Sequence, residues 1–179
     1  MYADDILLLA PTVTALQTML NICEVELAWL DMTINPAKSV CLRIGPNWNS
    51  VPACISTLNG AVISWQQSFR YLGVHIVAGR VFSCSIDSAK CAFYRAFNAA
   101  YGKVGNVASE EVILHIVKSK CMPLLLYGTE AMRLKKAQVK SAEFAVTNCF
   151  MKIFKTKSKE VVTECMSYFN FEDFSVCVS

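Results

Sequence analysis

The strongest constraint in this chain is a pair of adjacent acidic residues, Asp4 and Asp5, which stand between Tyr2 and the apolar run Ile6–Leu9. Buried carboxylates cost free energy unless another group pairs with them. Adjacent side chains on a strand point to opposite faces, so only a tight turn between two strands would aim both carboxylates at one place. We therefore expect an acidic turn followed by a strand over Ile6–Leu9.

A divalent cation would offset the repulsion between the carboxylates of Asp4 and Asp5. Mg²⁺ and Mn²⁺ prefer oxygen ligands and are often held by one or two carboxylates together with substrate phosphates. The pair is therefore typical of metal-dependent nucleotidyl transfer. A four-residue pattern also recurs by chance, and the alternative is an acidic turn that caps a helix.

Two further segments follow in order: Asn35-Pro36-Ala37-Lys38-Ser39, which leads into Val40–Ile44, and Phe69–Ile76. With Tyr2-Ala3-Asp4-Asp5, they resemble the metal turn, the lysine-bearing segment and the primer-grip hairpin of reverse transcriptases. The apolar tail of the turn is similar to that of non-LTR (LINE-type) retrotransposons. Residues 118–128 also resemble the thumb of those enzymes.

The resemblance implies a role for each matching residue. Asp4 and Asp5 would bind Mg²⁺ or Mn²⁺, with Asp4 bridging both ions of a two-metal site. Lys38 would protonate the departing pyrophosphate or steady its charge, and the alternative is an ordinary surface lysine. The residues expected to place the primer are Tyr2, Tyr71, Leu72 and Gly73, and the alternative for the last three is a plain edge hairpin.

Met1 stands one residue before Tyr2, so the family's fingers and upstream palm would lie outside this chain. Two-metal catalysis needs carboxylates from more than one strand, and Asp31 reads as a solvated residue near a helix end. We expect a fragment that is derived from an RNA-directed DNA polymerase and is inactive alone. Its expected partners are an RNA template, a DNA primer, dNTP and the missing fingers and upstream palm.

The chain is rich in apolar residues (54%) and poor in charged ones (17%). This surplus indicates either a core or a face that meets other parts of a larger enzyme. No apolar run approaches the roughly 20 residues of a membrane span, and the first residues are unlike a signal peptide. Nine cysteines without a Cys-x-x-Cys spacing argue against zinc and favour an intracellular protein, nuclear or cytoplasmic.

The periodicity predicts an α+β fold, a partial polymerase palm followed by a helical thumb. We assign residues 1–85 to the palm, 86–160 to a basic thumb and 161–179 to a C-terminal tail, which we expect to be ragged and acidic from Asn170 onward. In the palm the predicted elements are a helix from Thr12 or Thr14 to Met32, a strand over Ser39–Ile44, a hairpin at Asn59-Gly60 and a strand over Trp65–Ile76. In the thumb we predict three helices. The first runs from about Ile86 to Gly105, the second begins at Ser109 and is ended or kinked by Pro123, and the third runs from Lys135 to Phe154.

Positive charge is concentrated in the helical part, since residues 86–160 hold thirteen basic and six acidic residues. Basic side chains grouped in this way bind phosphate backbones with strong salt dependence, although lysines also simply solvate helices. The candidates for backbone binding are Lys118, Lys120, Arg133, Lys135, Lys136 and Lys140. The alternative functions are a non-catalytic nucleic-acid-binding module, a decayed remnant, or another two-metal polymerase such as an intron maturase or viral RNA polymerase.

Overall fold

The computed structural model describes residues 5–50, 52–105 and 107–178. Its helices and short strands confirm the predicted α+β class. The chain divides into two compact units. The first spans the chain up to Phe69 together with Val77–Phe82, and the second comprises Arg70–Ile76 and the residues from Ser83 onward.

The first unit is built on one helix and short strands. The helix α1 (Val13–Ala28) begins where the Oγ1 of Thr12 accepts the N–H of Ala15 at 3.1 Å. The strands are β1 (Val40–Cys41), β2 (Ile55–Ser56) and β3 (Val62–Trp65). In this sheet β3 lies centrally, parallel to β1 and antiparallel to β2.

A small apolar core joins α1 to the sheet. Leu20 of the helix, Cys41 of β1, Ile55 of β2 and Ile63 of β3 are all buried. Burial raises the pKa of the Cys41 thiol, because the low-dielectric core disfavours the thiolate. The α1 helix thus lies on the sheet through one stripe of side chains, as its periodicity predicted.

The predicted hairpin at Asn59-Gly60 is confirmed. Ile55 pairs with Ile63 across the two strands, and Gly60 adopts a positive φ of 80°. The turn is closed by Thr57, whose N–H donates to the carbonyl of Ala61 at 2.9 Å. Glycine tolerates the left-handed backbone that this turn adopts at Gly60.

Three predictions in the first unit are wrong. Ile6–Leu9 forms no strand: a strand needs a hydrogen-bonded neighbour, and no described residue pairs with this run. The strand expected over Ser39–Ile44 is regular only at Val40–Cys41, although Ile44 makes an isolated bridge to Gly79. The helix α1 ends at Ala28 rather than Met32.

The second unit begins with the hairpin formed by β4 (Ser68–Tyr71) and β5 (Val74–Val77), whose residues 70–76 cluster with it. This hairpin corrects the single strand predicted from periodicity over Trp65–Ile76 and agrees with the hairpin that the resemblance implies over Phe69–Ile76. A third strand, β6 (Ser83–Ser85), lies beside β5. Leu72 and Gly73, with φ of 46° and 83°, reverse the chain between β4 and β5.

Helices make up the rest of the second unit. They are α2 (Asp87–Val104), α3 (Glu110–Ile116), α4 (Met122–Leu126), α5 (Lys136–Ile153), α6 (Lys159–Tyr168) and α7 (Phe174–Val178). Their shared core includes Phe93, Phe97, Val117, Phe150 and Phe174, each at most 2% exposed. Ring contacts reinforce it, as in the edge-on pair of Phe150 and Phe171 at 4.9 Å.

Pro123 does not end the second helix of this unit, contrary to one predicted outcome. A π-helical turn over Val117–Cys121 joins α3 to α4, and Met122 donates its N–H to the carbonyl of Val117. Proline has no N–H to give to the preceding turn. A wider turn directly before Pro123 therefore lets the helical path continue to Leu126.

The acidic tail predicted to be ragged is folded from residue 170 to Val178, another correction. Phe171 and Phe174 are 9% and 1% exposed, and both belong to the core of the second unit. Burial of two aromatic side chains outweighs the polar character of the surrounding residues. The sequence prediction also omitted α6, which Ser158 caps by accepting the N–H of Val161.

Candidate functional site

Of the two acidic residues that begin the predicted site, the structure describes Asp5. Its side chain is exposed, while Asp4 and Tyr2 lie outside the described residues. Where the chain is described, no group of three or more histidine, cysteine or acidic side chains is arranged to hold a metal ion. The described residues alone therefore do not fit a metal site, and any such site needs Asp4 and ligands from elsewhere.

Lys38 lies at the surface, in the turn that leads into β1. Asn35 builds this turn, because its Oδ1 accepts the N–H groups of Ala37 at 3.1 Å and Lys38 at 3.2 Å. Asparagine commonly forms such side-chain turns. Among the described residues, no hydrogen bond or ion pair joins Lys38 to Asp5.

Between Asp5 and Lys38 the chain forms α1, which is hydrogen-bonded to the backbone of Ser56 and Leu58. Gln17 donates from Nε2 to the carbonyl of Ser56 at 2.6 Å, and its Oε1 accepts the N–H of Ser56 at 3.0 Å. The Oε2 of Glu24 accepts the N–H of Leu58 at 2.8 Å. The side chains of Gln17 and Glu24 thus bind backbone groups of Ser56 in β2 and of Leu58 after it, so hydrogen bonds hold the helix against this edge of the sheet.

The predicted primer-placing residues occupy the hairpin of the second unit. Tyr71 ends β4, and Leu72 and Gly73 form the turn. Tyr127, which follows α4, donates its hydroxyl to the carbonyl of Leu72 at 3.0 Å. A Cβ at Gly73 would lie 2.7 Å from Cε1 of Tyr127, so only glycine allows this close approach.

A second close approach flanks the first. Gly128, with φ 75°, would place a Cβ 2.6 Å from Cγ2 of Val74. The backbone of each glycine therefore packs against a side chain of the other segment, Gly73 against the ring of Tyr127 and Gly128 against Val74. Such close packing at glycine positions fixes the position of the turn.

The candidate backbone-binding residues are all exposed. Lys118 and Lys120 lie on the π-helical turn, whereas Arg133, Lys135, Lys136 and Lys140 lie before and within the first turns of α5. Gln138 fixes the start of α5: its Oε1 accepts the N–H of Lys135 at 2.9 Å, and its Nε2 donates to the carbonyl of Cys84 at 2.7 Å. The basic residues at this helix start therefore project from an anchored element.

Lys152 differs from the other lysines of this unit. Its ammonium lies 5.6 Å and 5.1 Å from the ring centroids of Phe97 and Tyr101, and it donates to Oδ1 of Asn98 at 3.0 Å. A cation over two aromatic faces is already stabilised within the protein. Lys152 therefore joins α5 to α2 and is a poor candidate for a phosphate ligand.

Sequence reasoning missed a cavity lined by two arginines and a histidine. Arg70, His75 and Arg95 line a cavity of about 570 Å³ that is built wholly from residues of the second unit. Arg70 and His75 fall inside the segment that resembles a primer grip, so this resemblance was a partial indication of the site. Arg95 lies 25 residues after Arg70, and only the fold brings it to the same cavity.

Buried cysteines are not part of any site. Burial, and more weakly the neighbouring Cys121, raises the pKa of Cys149 to about 12. Burial also raises the pKa of Cys84 and Cys121. A thiol that stays protonated is a poor nucleophile and a poor metal ligand.

No described helix is long and apolar enough to span a bilayer.

Comparison with known proteins gives one match. Residues 1–76 match the family model described as reverse transcriptase (RNA-dependent DNA polymerase). No curated protein and no solved structure matches the chain. The matched stretch contains the acidic pair, Lys38 and the hairpin, and reverse transcriptases generally use divalent Mg²⁺ or Mn²⁺. The chain thus carries a segment related to reverse transcriptases.

Proposed function

We propose that this chain is part of the RNA-directed DNA polymerase of a non-LTR (LINE-type) retrotransposon. The observation that carries the proposal is the family match over residues 1–76, which contains the three resembling segments in their expected order. The intact enzyme would copy an RNA template onto a DNA primer from dNTP. This chain would contribute the acidic turn, the primer hairpin and a basic helical unit.

In this proposal Asp4 and Asp5 supply two of the ligands for Mg²⁺ or Mn²⁺. The bound ions would stabilise charge on the attacking and leaving oxygens of nucleotidyl transfer. Further carboxylates would come from other parts of the polymerase, because the described residues form no group of three or more potential metal ligands. Lys38 is exposed, and the flexible stem of a lysine side chain would let its ammonium reach the charge of the departing pyrophosphate.

The hairpin supports a role in primer placement. Tyr71, Leu72 and Gly73 would contact the primer strand, as would Tyr2. The turn is fixed in the second unit by the bond from Tyr127 to the Leu72 carbonyl. A rigid turn positions a strand end more closely than a mobile loop would.

The second unit would bind the template-primer duplex through its exposed basic residues. Residues 86–160 carry a net charge of about +7 from the counts of basic and acidic residues. In the described chain one ion pair, Lys90 with Asp87 at 2.8 Å, neutralises part of this charge. The exposed lysines at the start of α5 therefore remain available to phosphates.

The first test is duplex binding as a function of salt. An RNA–DNA duplex should bind the chain with affinity that falls steeply as salt rises. Replacing Lys135, Lys136 and Lys140 by Gln should reduce the slope of log affinity against log salt by about 2 to 3. The control replaces Arg43 and Arg80 of the first unit by Gln. Salt-independent binding, or equal losses in both variants, would contradict the duplex-binding role.

The alternative is a non-catalytic nucleic-acid-binding module or a decayed copy of such an enzyme. The observation that favours it is the lack of a described three-ligand metal cluster around Asp5. In that case duplex binding would survive while Asp4→Asn and Asp5→Asn had no effect on any activity. Loss of polymerisation in those variants, once the missing palm is supplied, would exclude it.

A further inference from the structure

The cavity of the second unit combines positive charge with an apolar floor. Arg70 and Arg95 line it, and the side chains of Leu124, Leu125 and Met132 form part of the same lining. None of its lining residues is acidic. A cavity of about 570 Å³ lies in the range of small-molecule sites, roughly 300–1,000 Å³.

Both guanidinium groups are available to a ligand. Arg70 and Arg95 are exposed, and within the described residues neither guanidinium group makes a hydrogen bond or an ion pair. The nearest acid along α2 is Asp87, whose charge is matched by Lys90 at 2.8 Å. Two arginines without acidic partners on one cavity attract an anion, and guanidinium geometry suits phosphate.

Hydrogen-bonding and aromatic groups extend the anion site. His75 and Ser88 also line the cavity and carry polar side chains. Ser85 lines it too, but its hydroxyl donates to the carboxylate of Asp87 at 2.9 Å. Tyr127 is 59% exposed as a residue, and its hydroxyl is fixed on the Leu72 carbonyl. An immobilised aromatic face beside aliphatic side chains suits a planar base.

We propose that this cavity binds one unpaired nucleotide of a nucleic-acid strand, with its phosphate at Arg70 and Arg95 and its base against Tyr127. A phosphate alone would leave the apolar floor uncovered. A base-paired duplex keeps its bases stacked inside and would present only its backbone to such a floor. The cavity shares Gly73 with the hairpin turn that the proposed function assigns to the primer, and none of the lysines at the start of α5, which that function assigns to duplex binding, lines it.

Cys91 provides a direct probe, because it is exposed and lines the cavity, whereas the exposed Cys54 belongs to the first unit. The experiment measures alkylation rates of both thiols by mass spectrometry with oligo(dT), a blunt RNA–DNA duplex, or inorganic phosphate. Saturating oligo(dT) should slow alkylation of Cys91 by about fivefold or more, a protection set by occupancy. Cys54 should react at an unchanged rate.

Variants decide where the protection arises. Arg70→Gln with Arg95→Gln should abolish the protection of Cys91, and the matched pair Arg43→Gln with Arg80→Gln should retain it. Unchanged Cys91 alkylation with oligo(dT), or protection that survives the cavity variant, would overturn the proposal. Equal protection by the blunt duplex or by inorganic phosphate would also overturn it. The salt dependence of duplex binding is measured separately, so the two proposals fail independently.

Discussion

The replacement Gly73→Ala tests whether the hairpin turn is held against Tyr127. Gly73 has φ 83°, a conformation that costs an L-residue about 1–2 kcal/mol. Its added Cβ would also lie 2.7 Å from the tyrosine ring, which must move. Moving the ring breaks the bond from its hydroxyl to the Leu72 carbonyl, worth about 1 kcal/mol. The total predicted destabilisation is about 2–3 kcal/mol.

Urea denaturation followed by circular dichroism at 222 nm measures this loss, because the helices lie mostly in the second unit. The control is Gly102→Ala within α2, where a Cβ would meet nothing within 4 Å. That replacement should leave stability unchanged or raise it by up to about 1 kcal/mol.

A double-mutant cycle separates the two costs at Gly73. In a Tyr127→Ala background the ring is gone, so Gly73→Ala should cost only the backbone strain of about 1–2 kcal/mol. The coupling energy should therefore be about 1 kcal/mol. Additive effects, or a loss below about 0.5 kcal/mol for Gly73→Ala alone, would refute the contact between the turn and the ring.

Three further replacements test other parts of the fold. Phe150→Ala should destabilise the second unit by about 3–5 kcal/mol in urea, since its ring is fully buried, whereas Phe144→Ala on the same helix, 56% exposed, should cost under about 0.5 kcal/mol. Gln17→Ala should cost about 1–3 kcal/mol, measured by tryptophan fluorescence, because the backbone of Ser56 loses both its partners. Hydrogen bonds from a lysine and a serine lower the pKa of Asp87, so its stabilising effect exists above the ordinary pKa and is lost on acidification. Asp87→Asn should therefore lower stability at neutral pH by under about 1 kcal/mol and should make no difference near about pH 2.

Local signals predicted those elements whose stability is local. Thr12 and Ser109 stand at helix starts as expected, and Asn59-Gly60 forms its hairpin. In each case the side chain or backbone preference acts within a few residues. The helix over Lys136–Ile153 was predicted nearly to the residue because its apolar stripe faces one core.

Tertiary context decided the remainder. Phe171 and Phe174 turn an acidic tail into part of the core, and nothing within the tail itself indicates what they pack against. The apolar run Ile6–Leu9 has the composition of a strand but no described neighbour to pair with. Strand formation depends on a partner that a local pattern does not contain.

The candidate site likewise contains residues that a local motif indicates and residues that only the fold brings together. The motif letters indicate Asp5, Lys38 and Gly73 as candidates, because their chemistry is visible in the residue types, and their roles stay predictions. The cationic cavity was invisible, since Arg70 and Arg95 become neighbours only when the hairpin and α2 line one cavity. Convergence of distant residues is a property of the fold rather than of a motif.

The measurement that tests the central claim most directly is template-directed dNTP incorporation on a primed RNA template with Mg²⁺. The chain is assayed alone and then with a polypeptide that supplies the fingers and upstream palm, using Asp4→Asn and Asp5→Asn as controls. We predict dNTP incorporation only when that polypeptide is added, and loss of incorporation in both variants. Incorporation that persists in those variants, or none with the complement although duplex binding is retained, would contradict a polymerase role for this chain.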